Sequence, residues 1–277
     1  MTIFGPSIGV GMDYAKSPSE SGYAYLWNGL VCGVSPNIGG VYGGFYDVVK
    51  RTSFSSDGTP TRAPSPYSGG FGGNSWLVDA APHNFYQYTY SETYPVTHSI
   101  WFFSRDSTVY GDIITYSDTL GNNSTTLNME STAAGRRLDF RRYNGASSNT
   151  TSTDQVPLNT WNHLAWIIRS TTDGEAWMNG SKVITVTTNI IAAGTITTLG
   201  IGRNKFGTST TGSQNNARFG DYLRWNRALS KSEILSLRNG ASPFIRNRRV
   251  YGNFPSGGPF PHHIPRAMAG GFAVGMN

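Results

Sequence analysis

The residues best equipped for catalysis in this chain are its carboxylates, and their spacing argues against it. Glycoside hydrolysis needs two carboxyl groups flanking one bond, and along a strand positions two apart share a face. The five glutamates are Glu20, Glu92, Glu130, Glu175 and Glu233, and none is followed two positions later by an aspartate. Glu233 has a structural task instead, because it stands three residues after Ser230 and completes a helix capping box. No nucleophile-elbow pattern marks a serine for acyl transfer. His262 and His263 are adjacent and lack partners at metal-ligand spacing. The single cysteine, Cys32, rules out a cysteine-based zinc site and an intramolecular disulfide, and it suits a chain made in a reducing cytoplasm. The expectation is a non-enzyme with no metal site.

A second set of chemistry-bearing residues lies near the C-terminal end. Residues 244–277 hold Arg246, Arg248, Arg249 and Arg266 and no acidic residue, so they supply +4 of the net charge of +6. Phe244, Phe254, Phe260, Met268, Phe272 and Met276 are spaced among glycines and prolines. An extended segment of this kind can lay apolar anchors into a neighbouring subunit while its arginines meet an acidic rim. The docking residues expected are Phe244, Arg246, Arg248, Arg249, Phe254, Phe260 and Phe272. Nucleic-acid recognition wants a basic stripe on a folded face, which a near-neutral body does not offer.

The elements that must position these groups are short strands. With 34 glycines, 14 prolines, 13% aromatic and only 14% charged residues, the 277-residue chain has the composition of strands joined by turns, not of a helical bundle or a disordered chain. No apolar run is long enough to span a bilayer, and the opening residues carry no basic stretch of a secretory signal. Ser99–Ser104 and His163–Ile168 are apolar on both faces, as central strands are. Leu138–Tyr143 alternates, with Arg137, Asp139 and Arg141 on the side away from Leu138 and Phe140. Asn179-Gly180 predicts a type I′ turn between strands at 175–178 and 181–186. Residues 195–202 and 217–225 read as two further strands. One helix follows Ser230, stapled by Leu229 and Ile234 and stopped by Asn239-Gly240 and Pro243. Residues 1–28 read as an arm, 29–243 as the folded domain and 244–277 as a second arm.

Several of these stretches occur in a telling order. Trp161-Asn-His-Leu-Ala-Trp166 precedes Gly174-Glu-Ala-Trp-Met-Asn-Gly180 and Leu199-Gly-Ile-Gly202. Phe219-Gly-Asp-Tyr-Leu-Arg-Trp-Asn-Arg-Ala-Leu-Ser230 then leads to Glu233-Ile234. Over residues 29–243 the chain resembles the laminin-G-like branch (LamG type 3) of the concanavalin A-like lectin/glucanase superfamily. The resemblance implies an all-β jelly-roll sandwich of two antiparallel sheets with one short helix. The E-x-D-x-x-E catalytic signature of the superfamily's glucanases is missing. Calcium is the one cofactor the resemblance raises, with Asp79, Asp106, Asp112, Asp118 and Asp221 near strand ends. They form no cluster of the kind hard cations need, and Gly220 stands where many relatives are acidic.

The resemblance also implies carbohydrate binding by aromatic faces and hydrogen-bond donors. The candidates are Tyr116, Asn122, Asn123, Arg137, Arg141, Tyr143 and Asn144, set against a plain solvated sheet face. His163 and four of the seven tryptophans, Trp161, Trp166, Trp177 and Trp225, are expected to pack. A lectin-like fold with neither signal nor disulfide and with two arms predicts a bacteriophage virion component. It would be a capsid decoration or fibre-like protein, made in the host cytoplasm and exposed on the particle. Its partners would be the major capsid protein or other virion proteins, a second or third copy of itself, and host-surface polysaccharide, with no membrane. A free lectin is the alternative, and a polysaccharide lyase or hydrolase the third.

Overall fold

The computed structural model describes residues 14–36, 38, 46–57, 61–64, 74–78, 84–87, 91, 93–104, 111–118, 123–132, 135–143, 147–187, 190, 196–202 and 217–246. They form two antiparallel sheets. The first is centred on β8 (Val96–Ser104), flanked by β13 (Trp161–Ser170) and β17 (Ala217–Trp225). Beyond β13 come β14 (Asp173–Met178) and β15 (Ser181–Val186). β17 pairs on its other side with β1 (Leu30–Val34), which leads to β2 (Tyr46–Asp47) and β3 (Thr52–Ser53). It also pairs there with β6 (Asn74–Val78), next to β5 (Thr61–Pro64). The second sheet runs β12 (Ser147–Gln155), β11 (Gly135–Tyr143), β10 (Ser124–Thr132), β9 (Gly111–Ser117), β16 (Thr198–Ile201), β7 (Asn84–Gln87) and β4 (Ser55–Asp57).

The core lies between the sheets. Alternate residues of β13, Leu164, Trp166 and Ile168, meet Leu127 and Met129 of β10 and Leu138 and Phe140 of β11 in one apolar cluster. The intervening Ala165 and Ile167 face the opposite way, into a second cluster. That division is why the strand reads as apolar on both faces. The expected hairpin forms between β14 and β15, with φ of 52° at Asn179 and 85° at Gly180, as a type I′ turn demands. The helix α1 (Lys231–Arg238) starts with the capping box: Ser230 Oγ accepts from the Glu233 amide and Glu233 Oε2 accepts from the Ser230 amide.

The second cluster changes the reading of both ends of the domain. The outer face of the first sheet presents Ala165, Ile167, Leu223 and Trp225, too much apolar surface for an eight-residue helix to cover. Leu26 and Phe244, both 0% exposed, complete the cover. The amide of Ala15 donates to Phe244 O and that of Gly22 to Ile245 O, each at 2.9 Å. Trp27 Nε1 donates to Pro243 O, and Trp225 Nε1 to Leu26 O. Residues 14–28 are therefore a layer of the domain and not a free arm. Phe244 is a core residue and not a docking anchor, and Arg246 bridges to Ser21 and pairs with Glu20 at 3.7 Å. The compact unit ends at Asn247.

Candidate functional site

The strand that alternates in sequence, β11, organises a polar face. Because Leu138 and Phe140 enter the core, Arg137, Asp139, Arg141 and Tyr143 face outward. Register extends this face over the neighbouring strands. Ser117 of β9 stands beside Ser124 of β10 and, through it, Tyr143 of β11, with Thr198 of β16 on the far side of Ser117. One step along, Thr115, Thr126 and Arg141 form a parallel row that meets Gly200 on β16 and Asn149 on β12. Asp112, Asn128, Asp139 and Thr151 make a third, and Glu130 faces Arg137 in a fourth.

The first two rows have an unusual floor. Thr115, Ser117, Ser124, Thr126 and Thr198 are each no more than 1% exposed. Their hydroxyl oxygens have no hydrogen-bond partner among the described residues. Buried hydroxyls are normally satisfied, since removal from water without a replacement bond costs free energy. Each is both a donor and an acceptor. Five together form a polar floor that is closed to solvent. Beside it, Thr151 Oγ1 donates to Asp139 Oδ1 at 2.9 Å. Burial raises the Asp139 carboxyl above its ordinary pKa, opposed by the Thr151 bond, with Glu130 pushing it further up and Arg141 pulling it down.

The candidate binding residues separate on this geometry. Arg137, Arg141 and Tyr143 are brought together, half-buried on the outward face of β11. Asn123 ties the β9–β10 connection, its Nδ2 donating to Asp118 Oδ2 at 2.8 Å. Asn122 and Asn144 lie outside the described residues. Tyr116 requires a correction. It is 0% exposed and packs in the core, 5.2 Å from Trp166 and 5.0 Å from His98 between ring centroids. On β9 the hydroxyls of Thr115 and Ser117 take the outward positions and the aromatic the inward one. The serines and threonines of the floor were missed in the sequence, although they alternate with Ile114, Tyr116, Leu127 and Met129 at the strand period.

His163 is buried on the other sheet, with Nε2 sharing a hydrogen bond with Ser99 Oγ at 2.9 Å and its ring 5.1 Å from Trp101. It packs between these partners. Burial, aided by Arg238, brings its pKa down to about 3, so it is neutral. Of the aspartates weighed for calcium, Asp118 is held by Asn123, Asp112 and Asp221 are buried, and Asp79 and Asp106 lie outside the described residues. Among the described residues no three metal-binding side chains converge. Of the docking residues, Arg248, Arg249, Phe254, Phe260 and Phe272 also lie outside them.

Comparison with known proteins fits this architecture. No curated protein matches the chain in sequence. Among solved structures, domain 4 of AbnA, a GH43 extracellular arabinanase from Geobacillus stearothermophilus in complex with arabinotriose, aligns with a TM-score of 0.55 at 13% identity. The match covers 76% of this chain and 98% of that one. A Trypanosoma rangeli sialidase aligns with a TM-score of 0.53 at 15% identity, over 76% of this chain and 32% of the sialidase. The receptor binding domain of botulinum neurotoxin type G aligns with a TM-score of 0.51 at 11% identity, over 76% and 51%. The chain thus spans about a third of the sialidase and half of the toxin domain, and at these identities the likeness is one of fold. A family model described as the concanavalin A-like lectin/glucanases superfamily matches residues 73–235. The chain belongs to this laminin-G-like family.

Proposed function

We propose that this protein is a non-catalytic glycan-binding module of a bacteriophage virion, holding host-surface polysaccharide on the outward face of its second sheet. The observation that carries the sugar reading is the polar outward face of β11, where Arg137, Arg141 and Tyr143 are brought together half-buried. Guanidinium donors beside an aromatic ring suit a polyhydroxylated ligand. The arabinotriose named with the arabinanase domain is in keeping with sugar binding on this fold. The particle reading is supported by composition: residues 248–277 carry three arginines, no acidic residue and interspersed Phe and Met, suited to an acidic protein neighbour. The sole cysteine, Cys32, is buried, in keeping with cytoplasmic synthesis. The face is read as binding and not cleaving because the carboxylates lack the catalytic spacing.

The test has two parts. The full chain, incubated on a printed glycan array, is expected to bind at least one polysaccharide and to release no reducing ends from it. Binding to no glycan would remove the sugar role, and release of reducing or unsaturated ends would make the protein an enzyme. Mass spectrometry of purified phage particles is expected to find the chain, and its absence there would leave a free lectin.

A further inference from the structure

We infer that Asn239-Gly240 is a site of self-modification, where the chain converts its own asparagine to a carboxylate and so loosens the segment that follows. The chain holds four Asn-Gly pairs: Asn28-Gly29, Asn144-Gly145, Asn179-Gly180 and Asn239-Gly240. In such a pair the glycine amide nitrogen can attack the asparagine Cγ, since glycine has no Cβ to hinder the approach. The new N–Cγ bond closes a cyclic imide. The bond from Cγ to Nδ2 breaks, and ammonia leaves with the proton that the glycine nitrogen gives up. Water then opens the imide at either carbonyl, leaving an aspartate or its isoaspartyl isomer, whose main chain runs through the former side chain. Water is the one co-reactant.

The fold decides which pair can close the ring. Asn179 is locked on all sides. Its amide donates to His163 O at 2.8 Å, its Oδ1 accepts from the His163 amide and its Nδ2 donates to Asn162 Oδ1, the last two at 2.9 Å. A Cβ on Gly180 would stand 2.7 Å from Leu235, so the hairpin must open before the ring forms. Asn28 is exposed, but its carbonyl accepts from Arg227 Nε at 2.6 Å and the Gly29 carbonyl from the Asn226 amide at 2.9 Å. A Cβ on Gly29 would stand 2.7 Å from Asn226 Oδ1. Asn144 lies outside the described residues. Asn239 is different: it is exposed just past the last turn of α1, and a Cβ on Gly240 would meet nothing within 4 Å. The pair is held by helix-end bonds, such as that from the Gly240 amide to Leu237 O at 3.0 Å, and helix ends fray readily. Arg238 Nη1 donates to Asn239 Oδ1 at 3.1 Å, which puts a cation on the oxygen where negative charge builds during attack. The new carboxylate then sits at the helix C-terminus, where the dipole disfavours an anion. The isoaspartyl form also lengthens the main chain ahead of residues 241–246, which begin with the bond from the Ala241 amide to Ser236 O at 2.9 Å.

The experiment ages the full chain in mildly alkaline buffer, folded and in urea, until the unfolded sample has converted at Asn28, Asn179 and Asn239. Peptide mapping by mass spectrometry with isoaspartate detection then reads each site. In the folded sample Asn239 is expected to convert, with Asn179 slower by more than about tenfold because two side-chain hydrogen bonds must first break. Asn28 is expected to lag as well. Asn239 remaining an amide in the folded sample, or converting no faster than Asn28 and Asn179, overturns the site. Trypsin is expected to cut at Arg246 in the converted fraction, and to spare it in fresh protein and in Asn239→Gln aged alongside. Arg246 spared equally in the converted fraction overturns the loosening.

Discussion

Phe244 shows how one side chain can decide where a domain ends. Its ring is fully buried, edge-on to Trp27 and Tyr14, and fills the space over Gly33 so closely that a Cβ there would stand 2.3 Å from Cζ. Truncation in a well-packed core leaves a cavity, so Phe244→Ala is expected to cost about 3–5 kcal/mol, read from urea denaturation. A loss below about 1 kcal/mol would return the residue to a free tail. Two buried histidines set a pH response. Burial, with Arg224 beside His98 and Arg238 beside His163, holds both rings neutral, His163 with a pKa of about 3. Below about pH 6.5 the unfolded chain takes up protons that the fold refuses. Their contribution is fully present above that pH and is lost as pH falls below it, for His163 down to about 3. Glu233, brought to about 2 first by its Arg227 bonds, adds a loss of the same sign below about 4.5. Asp139, with its raised pKa, acts in the opposite sense. The urea midpoint should therefore drop between pH 7.5 and 5, and less steeply in His163→Gln. A midpoint constant over that range would contradict the neutral histidines.

Among the elements, those fixed by neighbouring residues were legible in the sequence. The β14–β15 hairpin follows from Asn179-Gly180, whose left-handed backbone selects the turn. The helix follows from Ser230, Glu233 and Gly240, the last at φ of 91° past its C-terminal end. Ser230→Ala should cost about 1 kcal/mol, measured as a shift in the denaturation midpoint, and no shift would mean that the cap is supplied elsewhere. Glu233 is held in place by Arg227 as well as by the cap. Elements whose partners are distant in sequence were not legible. Nothing near Leu26 announces that it closes over Trp225, because the two stand 199 residues apart, and nothing near Phe244 announces that it packs on Trp27 from the other end of the domain. The candidate site was half legible for the same reason. Alternation in 138–143 puts Arg137, Arg141 and Tyr143 on one face. Only the register of β9, β10 and β16 reveals that Thr115, Ser117, Ser124, Thr126 and Thr198 lie beside them. The same alternation, read in β9, would have sent Tyr116 inward.

For the molecule as a whole, the clasp between residues 14–28 and 241–246 ties the two ends of the compact unit to one face. The segments are joined by the Ala15 and Gly22 amide bonds, the Ser21–Arg246 bridge and the Glu20–Arg246 pair. That face is the outer side of the first sheet, whereas the hydroxyl floor lies on the outward side of the second. The clasp holds the C-terminal end of the compact unit over its first sheet. It also locates protease sensitivity. Cleavage needs the backbone to leave its hydrogen bonds, so trypsin is expected to spare Arg246, which is bridged to Ser21, and to cut the free protein at Arg248 and Arg249. If residues past 247 grip a particle, those two bonds should resist trypsin in purified virions under conditions that cut the isolated chain. Peptide mapping distinguishes the outcomes: equal cleavage at Arg248 and Arg249 in both states removes the docking role of the tail. Early cleavage at Arg246 in the free protein would show that the clasp opens, and the domain boundary would then move back toward residue 243.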